Sequence, residues 1–183
     1  MAGTLTVQNL QGPTSGANAN KIIVPSGQTL DVSGGTFTPS AGQVVQVVQT
    51  YNASSGYIQT TSTTLVGSGI TRAITPKHSD SLILVSFSVS MVHSDYANYV
   101  RGRMYVKVGS GSYAAMPNAN TYHIGYQASA HAAYSPFVFN GQYSVSSVDT
   151  LTFQPYFRSG DGGNARLAHA NASYALTLME IAQ

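Results

Sequence analysis

Acidic side chains are the first candidates for catalysis, and this chain has few of them. Glycoside hydrolysis needs two carboxylates a few ångströms apart. The fold could pair Asp80 with Asp95, which flank one predicted strand. The alternative is that the acids are turn and cap residues, since Asp80, Asp149 and Asp161 lie beside Ser, Gly or Thr at strand ends. The full set is Asp31, Asp80, Asp95, Asp149, Asp161 and Glu180.

The other residue types used in catalysis and metal binding show no motif. The five histidines lack the HxH and HExxH spacings of metal sites. Three copies of one histidine could hold a metal in a trimer, but the sequence selects none of them. The absence of cysteine excludes disulfides and thiolate zinc sites, and no GxSxG motif marks a nucleophilic serine. We predict no catalytic residues, no metal site, no cofactor and no enzymatic activity.

Tyrosine is the conspicuous residue type, with twelve copies and no tryptophan. Tyrosine among Ser, Gly and Asn is typical of recognition surfaces, because a rigid ring with a polar tip supplies contact area at small entropic cost. The alternative is that the rings pack between subunits or cap sheet edges. The candidate recognition residues are Tyr96, Tyr99, Arg101, Arg103, Tyr105, Tyr113, Tyr122 and Tyr126.

Several of these candidates form a cationic ladder in the segment YVRGRMYVK. Its arginines and a lysine, Lys107, alternate with tyrosines on one predicted strand face. This ladder could contact anionic sugars, contact a neighbouring subunit, or form a solvated face.

Composition restricts the class of protein. Only 8% of residues are charged, against roughly 25% in average soluble proteins, while 43% are hydrophobic, so we expect a folded chain. A net charge of +2 is too small for a nucleic-acid-binding surface. No apolar run approaches the length that spans a bilayer, and no signal peptide opens the chain.

The region from Gln43 onward has the pattern of many short strands. The clearest, Ser81–Val92, places Ile83, Val85, Phe87, Val89 and Met91 on one face and serines on the other. We predict strands without intervening helices, and therefore an antiparallel β-sandwich or jelly roll. The predicted strands are 44–51, 57–66, 70–75, 81–92, 99–108, 113–116, 121–126, 134–140, 142–145, 150–158 and 172–181. In two of them we expect Val100, Met104, Val106 and Val108, and Leu151, Phe153 and Phe157, to point inward.

Residues 21–42 show three short apolar clusters separated by turns. Strands this short are stable only when they stack against others, and three chains side by side would supply those partners. A flexible linker is the alternative. The residues predicted to form the trimer contacts are Ile22, Val24, Leu30, Val32 and Phe37.

Three phrases of the sequence are similar to one family of viral proteins. ANANKIIVPSGQTLDVSGGTFTPSAGQVVQ comes first, TTSTTLVGSGITRAITPKHSDSLILV follows it, and ASYALTLMEIA closes the chain. Together they resemble the small fibre and tail-fibre-like virion proteins of tailed bacteriophages, especially those of marine and cyanobacterial hosts. Tail fibres generally have a longer attachment domain and shaft than residues 1–42 supply. A very short fibre, a distal tip and a capsid decoration therefore all stay open.

This resemblance implies a homotrimer on the surface of a phage particle, made in the host cytoplasm. Residues 1–20 would attach to another virion protein, residues 21–42 would form an intertwined β neck, and residues 43–183 would form the head. The implied function is that of a short tail fibre whose head binds a host surface glycan, with no nucleic-acid partner and no membrane insertion.

Three other functions remain open from the sequence. A capsid decoration or head-fibre protein would bind empty capsids rather than host cells. A glycan depolymerase would need carboxylates that are scarce here. A cellular sugar-binding module would not need the neck.

Overall fold

The computed structural model describes residues 11–19, 21–29, 39–53, 56–94, 99–117, 122–126, 133–169 and 171–183. The chain divides into two compact units, Met1–Thr38 and Pro39–Gln183. The described part of the first unit consists of turns and extended segments without a strand. One turn is closed by the Gln28 backbone N–H, which donates to the carbonyl of Pro25 at 3.0 Å. Residues 21–24, which contain the first apolar cluster of the predicted neck, form no strand in the part of the chain that the structure describes.

The second unit consists of strands and loops, with no helix among its described residues. In chain order the strands are β1 (Val44–Asn52), β2 (Ile58–Thr60), β3 (Val66–Gly67), β4 (Arg72–Ile74), β5 (Leu82–Ser94), β6 (Tyr99–Val108), β7 (Ala114–Ala115), β8 (Tyr122–Tyr126), β9 (Ala133–Ser144), β10 (Leu151–Ser159), β11 (Ala165–Ala168) and β12 (Tyr174–Ile181). The described residues contain no helix that could cross a membrane.

The strands form two antiparallel sheets. Sheet 1 has the order β1, β12, β5, β9, and β11 and β2 extend it beyond the end of β12. Sheet 2 has β10 and β6 at its centre, with β3 and β4 beside β10 and β7 and β8 beside β6. The predicted antiparallel sandwich is confirmed.

The core lies between the two sheets and follows from the alternation of apolar and polar residues. In β5, Ile83, Val85, Phe87 and Val89 are buried while the serines between them face outward, because successive side chains of a strand point to opposite faces. A register shift after Val89 then turns the buried face to Val92. Sheet 2 contributes its own inward residues, among them Ile74, Val100, Met104, Val106, Leu151, Phe153 and Phe157.

Some predicted elements were wrong. The predicted strand 57–66 is interrupted, because the hydroxyl of Ser62 bonds to the backbone and side chain of Thr64 and bends the chain. Residues 134–145, predicted as two strands, form mainly one, β9. Gly141 lies inside β9, where a Cβ would come within 2.6 Å of the Met116 side chain. Val108, predicted inward, is 40% exposed at the end of β6.

Strand β10 is central although it contains Pro155, a residue type usually confined to edge strands and bulges. The carbonyl of Pro155 accepts a hydrogen bond from the backbone N–H of Ser68 at 3.0 Å. The side of Pro155 that lacks an N–H therefore faces the gap between β4 and β3, where the neighbouring strand is interrupted. After β10 the chain crosses to β11 in sheet 1 instead of returning as a hairpin, and β11 was not among the predicted strands.

Glu180, on β12, is a fully buried acid whose carboxylate joins three segments. It accepts hydrogen bonds from Gln46 Nε2 at 2.6 Å and Ser81 Oγ at 2.7 Å, and from the backbone N–H groups of Lys77 at 2.8 Å and His78 at 3.2 Å. Burial raises the pKa of this carboxyl, but the four hydrogen bonds together lower it below its ordinary value. The charged carboxylate therefore holds β1 and the loop before β5 against β12.

Candidate functional site

The outward face of sheet 2 collects tyrosines and cations. On one side of β6 the side chains are half-buried. These are Tyr99, Arg101, Arg103, Tyr105 and Lys107. On the other side the alternate residues Val100, Gly102, Met104 and Val106 are buried. This alternation is the predicted ladder. The same face of the neighbouring strand and loop adds three further residues. We call the whole set, Tyr99, Arg101, Arg103, Tyr105, Lys107, Tyr113, Tyr156 and Arg158, the tyrosine–arginine face.

Strand β10 supplies the two members that sequence reasoning missed. Tyr156 lies directly opposite Arg103 and Arg158 lies opposite Arg101 in the antiparallel register. Directly opposed residues have side chains on the same face of a sheet, so both join the ladder. The alternation of Leu151 and Phe153 with polar residues in the segment LTFQPYFR was the signal that could have identified them.

Three tyrosine rings form the centre of the face. Tyr105 and Tyr156 are stacked, with ring centroids 4.0 Å apart and planes inclined by 22°. Tyr113, in the loop before β7, lies 5.8 Å from the Tyr156 ring. The result is a small aromatic surface made by two adjacent strands and one loop.

Two cations of the tyrosine–arginine face lie against tyrosine rings. The guanidinium of Arg101 lies 4.6 Å from the centroid of the Tyr99 ring, and Lys107 Nζ lies 5.4 Å from that of Tyr113. Both distances are within the range of cation–π attraction. None of the described outward residues in the strands of sheet 2 is Asp or Glu.

Arg158 and Arg103 differ in how their guanidinium groups are held. Arg158 Nη1 donates to the carbonyl oxygens of Thr63 at 3.0 Å and Ser159 at 3.3 Å, which fixes one side of its guanidinium. The Nε of Arg103 is buried and has no hydrogen-bond partner among the described residues.

Tyr113 and Tyr156 remain neutral near pH 7. Desolvation, with a smaller contribution from the neighbouring Tyr156, raises the pKa of Tyr113. Desolvation, with a smaller contribution from Tyr105, also raises the pKa of Tyr156. Neutral phenols can both donate and accept hydrogen bonds, so the face offers aromatic surface, positive charge and hydroxyl groups together.

Of the remaining recognition candidates, the structure describes the backbone of Tyr122 and Tyr126. The backbone of Tyr126 lies opposite Tyr99, and that of Tyr122 opposite Gly102, so β8 borders the face. Tyr96 lies outside the described residues.

The trimer residues predicted for the neck are also placed only in part. Ile22 and Val24 are exposed, by 56% and 40%, and Leu30, Val32 and Phe37 lie outside the described residues. Their role in trimer formation stays a prediction.

The described residues contain no cluster of three or more His, Asp or Glu that could hold a metal. Asp149 accepts a hydrogen bond from Ser147 Oγ at 2.9 Å, and Asp161 accepts one from the Gly163 N–H at 3.1 Å, so both lie in turns. The cavity between Phe87, Met104 and Leu167 has a volume of about 10 Å³, room for about one water molecule.

Among known proteins, only solved structures are similar to this chain. No family model matches the sequence, and no curated protein is similar to it. The VP2 subviral particle of infectious bursal disease virus matches with a TM-score of 0.50 and 14% identity, covering 91% of this chain and 40% of that one.

Two further solved structures are similar at lower TM-scores. The Gx strain of infectious bursal disease virus matches at 0.41, with 12% identity over 78% of this chain and 33% of that chain. The CBM22-1 xylan-binding domain of Xyn10C from Paenibacillus barcinonensis matches at 0.35, with 16% identity over 79% of this chain and 97% of that domain. The chain thus spans well under half of the viral proteins. At these identities the match at 0.50 supports the β-sandwich fold alone.

Proposed function

We propose that this chain is a virion structural protein, a short trimeric fibre of a bacteriophage whose head binds a host surface glycan through the tyrosine–arginine face. It acts by binding rather than by catalysis. The observation that carries the proposal is the stacked pair Tyr105 and Tyr156 on the same sheet face as Arg103 and Lys107. A viral particle protein with the same fold supports a place in the virion.

The chemistry of the face fits an acidic glycan. The apolar side of a sugar ring packs on an aromatic ring, and the phenol hydroxyls can bond to sugar hydroxyls. Carboxylate or sulfate groups of the glycan would pair with Arg103 and Lys107, whose charges have no described acid on this face. A neutral glycan would leave those charges unused.

Binding to immobilised alginate, heparin and dextran tests the proposal, because these carry uronate, sulfate and no charge respectively. The expected result is binding to the acidic polysaccharides that falls as sodium chloride is raised, and none to dextran. Tyr105→Ala should weaken binding about tenfold or more, since a cation- or sugar-contacting ring contributes on the order of 1–2 kcal/mol.

Two matched variants serve as controls. Tyr57→Ala removes a tyrosine that is 54% exposed and lies outside the face, and Lys77→Gln removes a cation outside the face to compare with Lys107→Gln. Both controls should bind like the unchanged protein. Equal loss in the Tyr57 and Tyr105 variants, or binding that none of these changes alters, would contradict the assignment of the face.

A capsid decoration protein is the second candidate, favoured by the fold shared with a subviral particle protein. It is distinguished by adding the purified chain to host cells and to empty capsids of the same phage. Saturable binding to capsids alone would favour decoration, and saturable binding to cells that Tyr105→Ala weakens would favour the fibre.

A further inference from the structure

The outward face of sheet 1 differs in chemistry from the tyrosine–arginine face. Antiparallel register places Val47, Met179 and Leu84 in one row across β1, β12 and β5. Ile181 and Leu82 form the next row, and Val44 lies opposite Ile181. We call these six residues the aliphatic band.

The aliphatic band is open to solvent in the single chain. Val44 is 54% exposed and Val47 is 51% exposed, on the strand at the edge of the sheet. Leu84, two strands further in, is 39% exposed. Contiguous exposed aliphatic side chains on a flat sheet are unfavourable in water and mark interaction surfaces.

A polar but uncharged row follows the aliphatic band. It consists of Gln49, Thr177, Ser86 and Asn140, and Gln49 Nε2 donates to Thr177 Oγ1 at 2.8 Å. Beyond it lie Tyr51 and Val138, which are 63% and 59% exposed. Amides and hydroxyls both donate and accept hydrogen bonds, so this row can pair with a copy of itself.

The described outward positions of β1, β12, β5 and β9 in these rows carry no charged side chain. Half of the eight Lys and Arg residues of the chain lie instead on the outward face of the opposite sheet, at Arg101, Arg103, Lys107 and Arg158. The cores of subunit interfaces are depleted in charge and enriched in Met and aromatic residues. A charged partner would gain nothing here, whereas two uncharged faces meet without burying an unpaired charge.

We propose that the outward face of sheet 1 is an interface that packs against the same face of a neighbouring copy of this chain. The proposal goes beyond the proposed function, because it concerns the other sheet and holds whether or not a glycan binds. Four strands about 4.8 Å apart and eight residues of about 3.3 Å each give the face roughly 500 Å². Stable interfaces take about 800 Å² from each partner, so the contact must cover the whole face and its rim, including Tyr51.

Thiol labelling of the purified full-length chain tests this interface. The chain has no cysteine, so Val47→Cys and Val148→Cys each introduce a single thiol. The two valines are almost equally exposed in the single chain, at 51% and 55%, and Val148 lies in a loop outside the face. If a second copy covers the face, the thiol at position 47 should react about tenfold more slowly than that at position 148, because thiol reaction requires access.

A second change places a charge in the same row. Leu84→Glu, combined with Val47→Cys, should restore fast labelling and lower the mass measured by light scattering, while circular dichroism confirms that the sandwich is folded. Binding to the acidic polysaccharides should be retained, which separates this result from failure of the glycan proposal. If Leu84→Glu unfolds the chain, Leu84→Asn is used in its place.

Three outcomes would overturn the proposal. Equal labelling rates at positions 47 and 148 would mean that the face is open. Slow labelling in a sample with the mass of a monomer would mean that residues of the same chain cover it. Slow labelling that both substitutions at Leu84 leave unchanged would place the contact elsewhere.

Discussion

At the scale of single residues, Glu180 shows how one buried carboxylate can hold a β-sandwich together. Its position on β12 faces the interior, where it is the one charged side chain among the buried residues that the structure describes. Its oxygens accept four hydrogen bonds. One donor, Gln46, lies on β1, and the other three, Lys77, His78 and Ser81, lie in the segment before β5. Removing the charge would leave buried donors with a weaker acceptor, which costs more than the loss of an exposed hydrogen bond.

Glu180→Gln is therefore expected to lower the free energy of unfolding by about 2 kcal/mol at pH 7. The folded-state pKa of Glu180 lies below its ordinary value of 4.5. Its contribution is thus complete above pH 4.5 and is lost as the pH falls through the folded-state pKa. Urea unfolding of both proteins from pH 7 to about pH 3 should show the difference between them shrinking with acidification.

The control for this change is Asp149→Asn, which alters an exposed turn acid bonded to Ser147. It should change the free energy of unfolding by less than about 0.5 kcal/mol. A difference between Glu180→Gln and the unchanged protein that stays constant down to pH 3 would contradict the role of the charge.

At the scale of elements, the crossover from β10 to β11 supports the tyrosine–arginine face. Gly160 follows β10, and its backbone N–H donates to the carbonyl of Tyr99 at 2.9 Å. A Cβ at position 160 would overlap the Tyr99 ring. Only glycine lets the loop approach this ring, on which Arg101 lies.

Gly160→Ala should displace Tyr99, lower the free energy of unfolding by about 1–3 kcal/mol and weaken binding to acidic polysaccharides. Gly56→Ala is the matched control, because a Cβ there has open space around it. Urea unfolding and the alginate binding assay provide the two measurements. If both glycine variants behave alike, the contact between the loop and the ring has no functional weight.

At the scale of the whole molecule, the two sheets carry different surfaces. Sheet 2 presents rings and cations outward, and sheet 1 presents an uncharged face. A sandwich must bury one side of each sheet, so its two outward sides are free to take separate roles. We propose recognition for one and contact between copies for the other.

The neck provides the prediction at this scale. Leu30→Asp places a charge in an apolar cluster of residues 21–42 that we predict to lie between three chains, so it should abolish the trimer while leaving the head folded. Light scattering after gel filtration should give three times 19.2 kDa for the unchanged chain, or twice that mass if the sheet 1 faces of two trimers pair, and at most a dimer for the variant, with equal circular dichroism. A variant that stays fully trimeric would mean that residues 21–42 are a linker.

Sequence alone was enough for the fold class and for much of the tyrosine–arginine face. Alternation in β5 and β6 is a local property of extended backbone, so the inward Phe87 and the outward Tyr105 could be read directly. The ends of strands were less certain, as Val108 shows, because burial at a strand end depends on what the neighbouring strands cover.

Only the tertiary structure decided which strands lie side by side. Tyr156 stacks on Tyr105 because β10 pairs with β6, and the aliphatic band exists because β1, β12 and β5 are neighbours. The sequence pattern also did not predict β11 or the residues that donate hydrogen bonds to Glu180. Strand pairing is set by burial between segments distant in sequence, and a pattern of period two is the same whichever partner a strand takes.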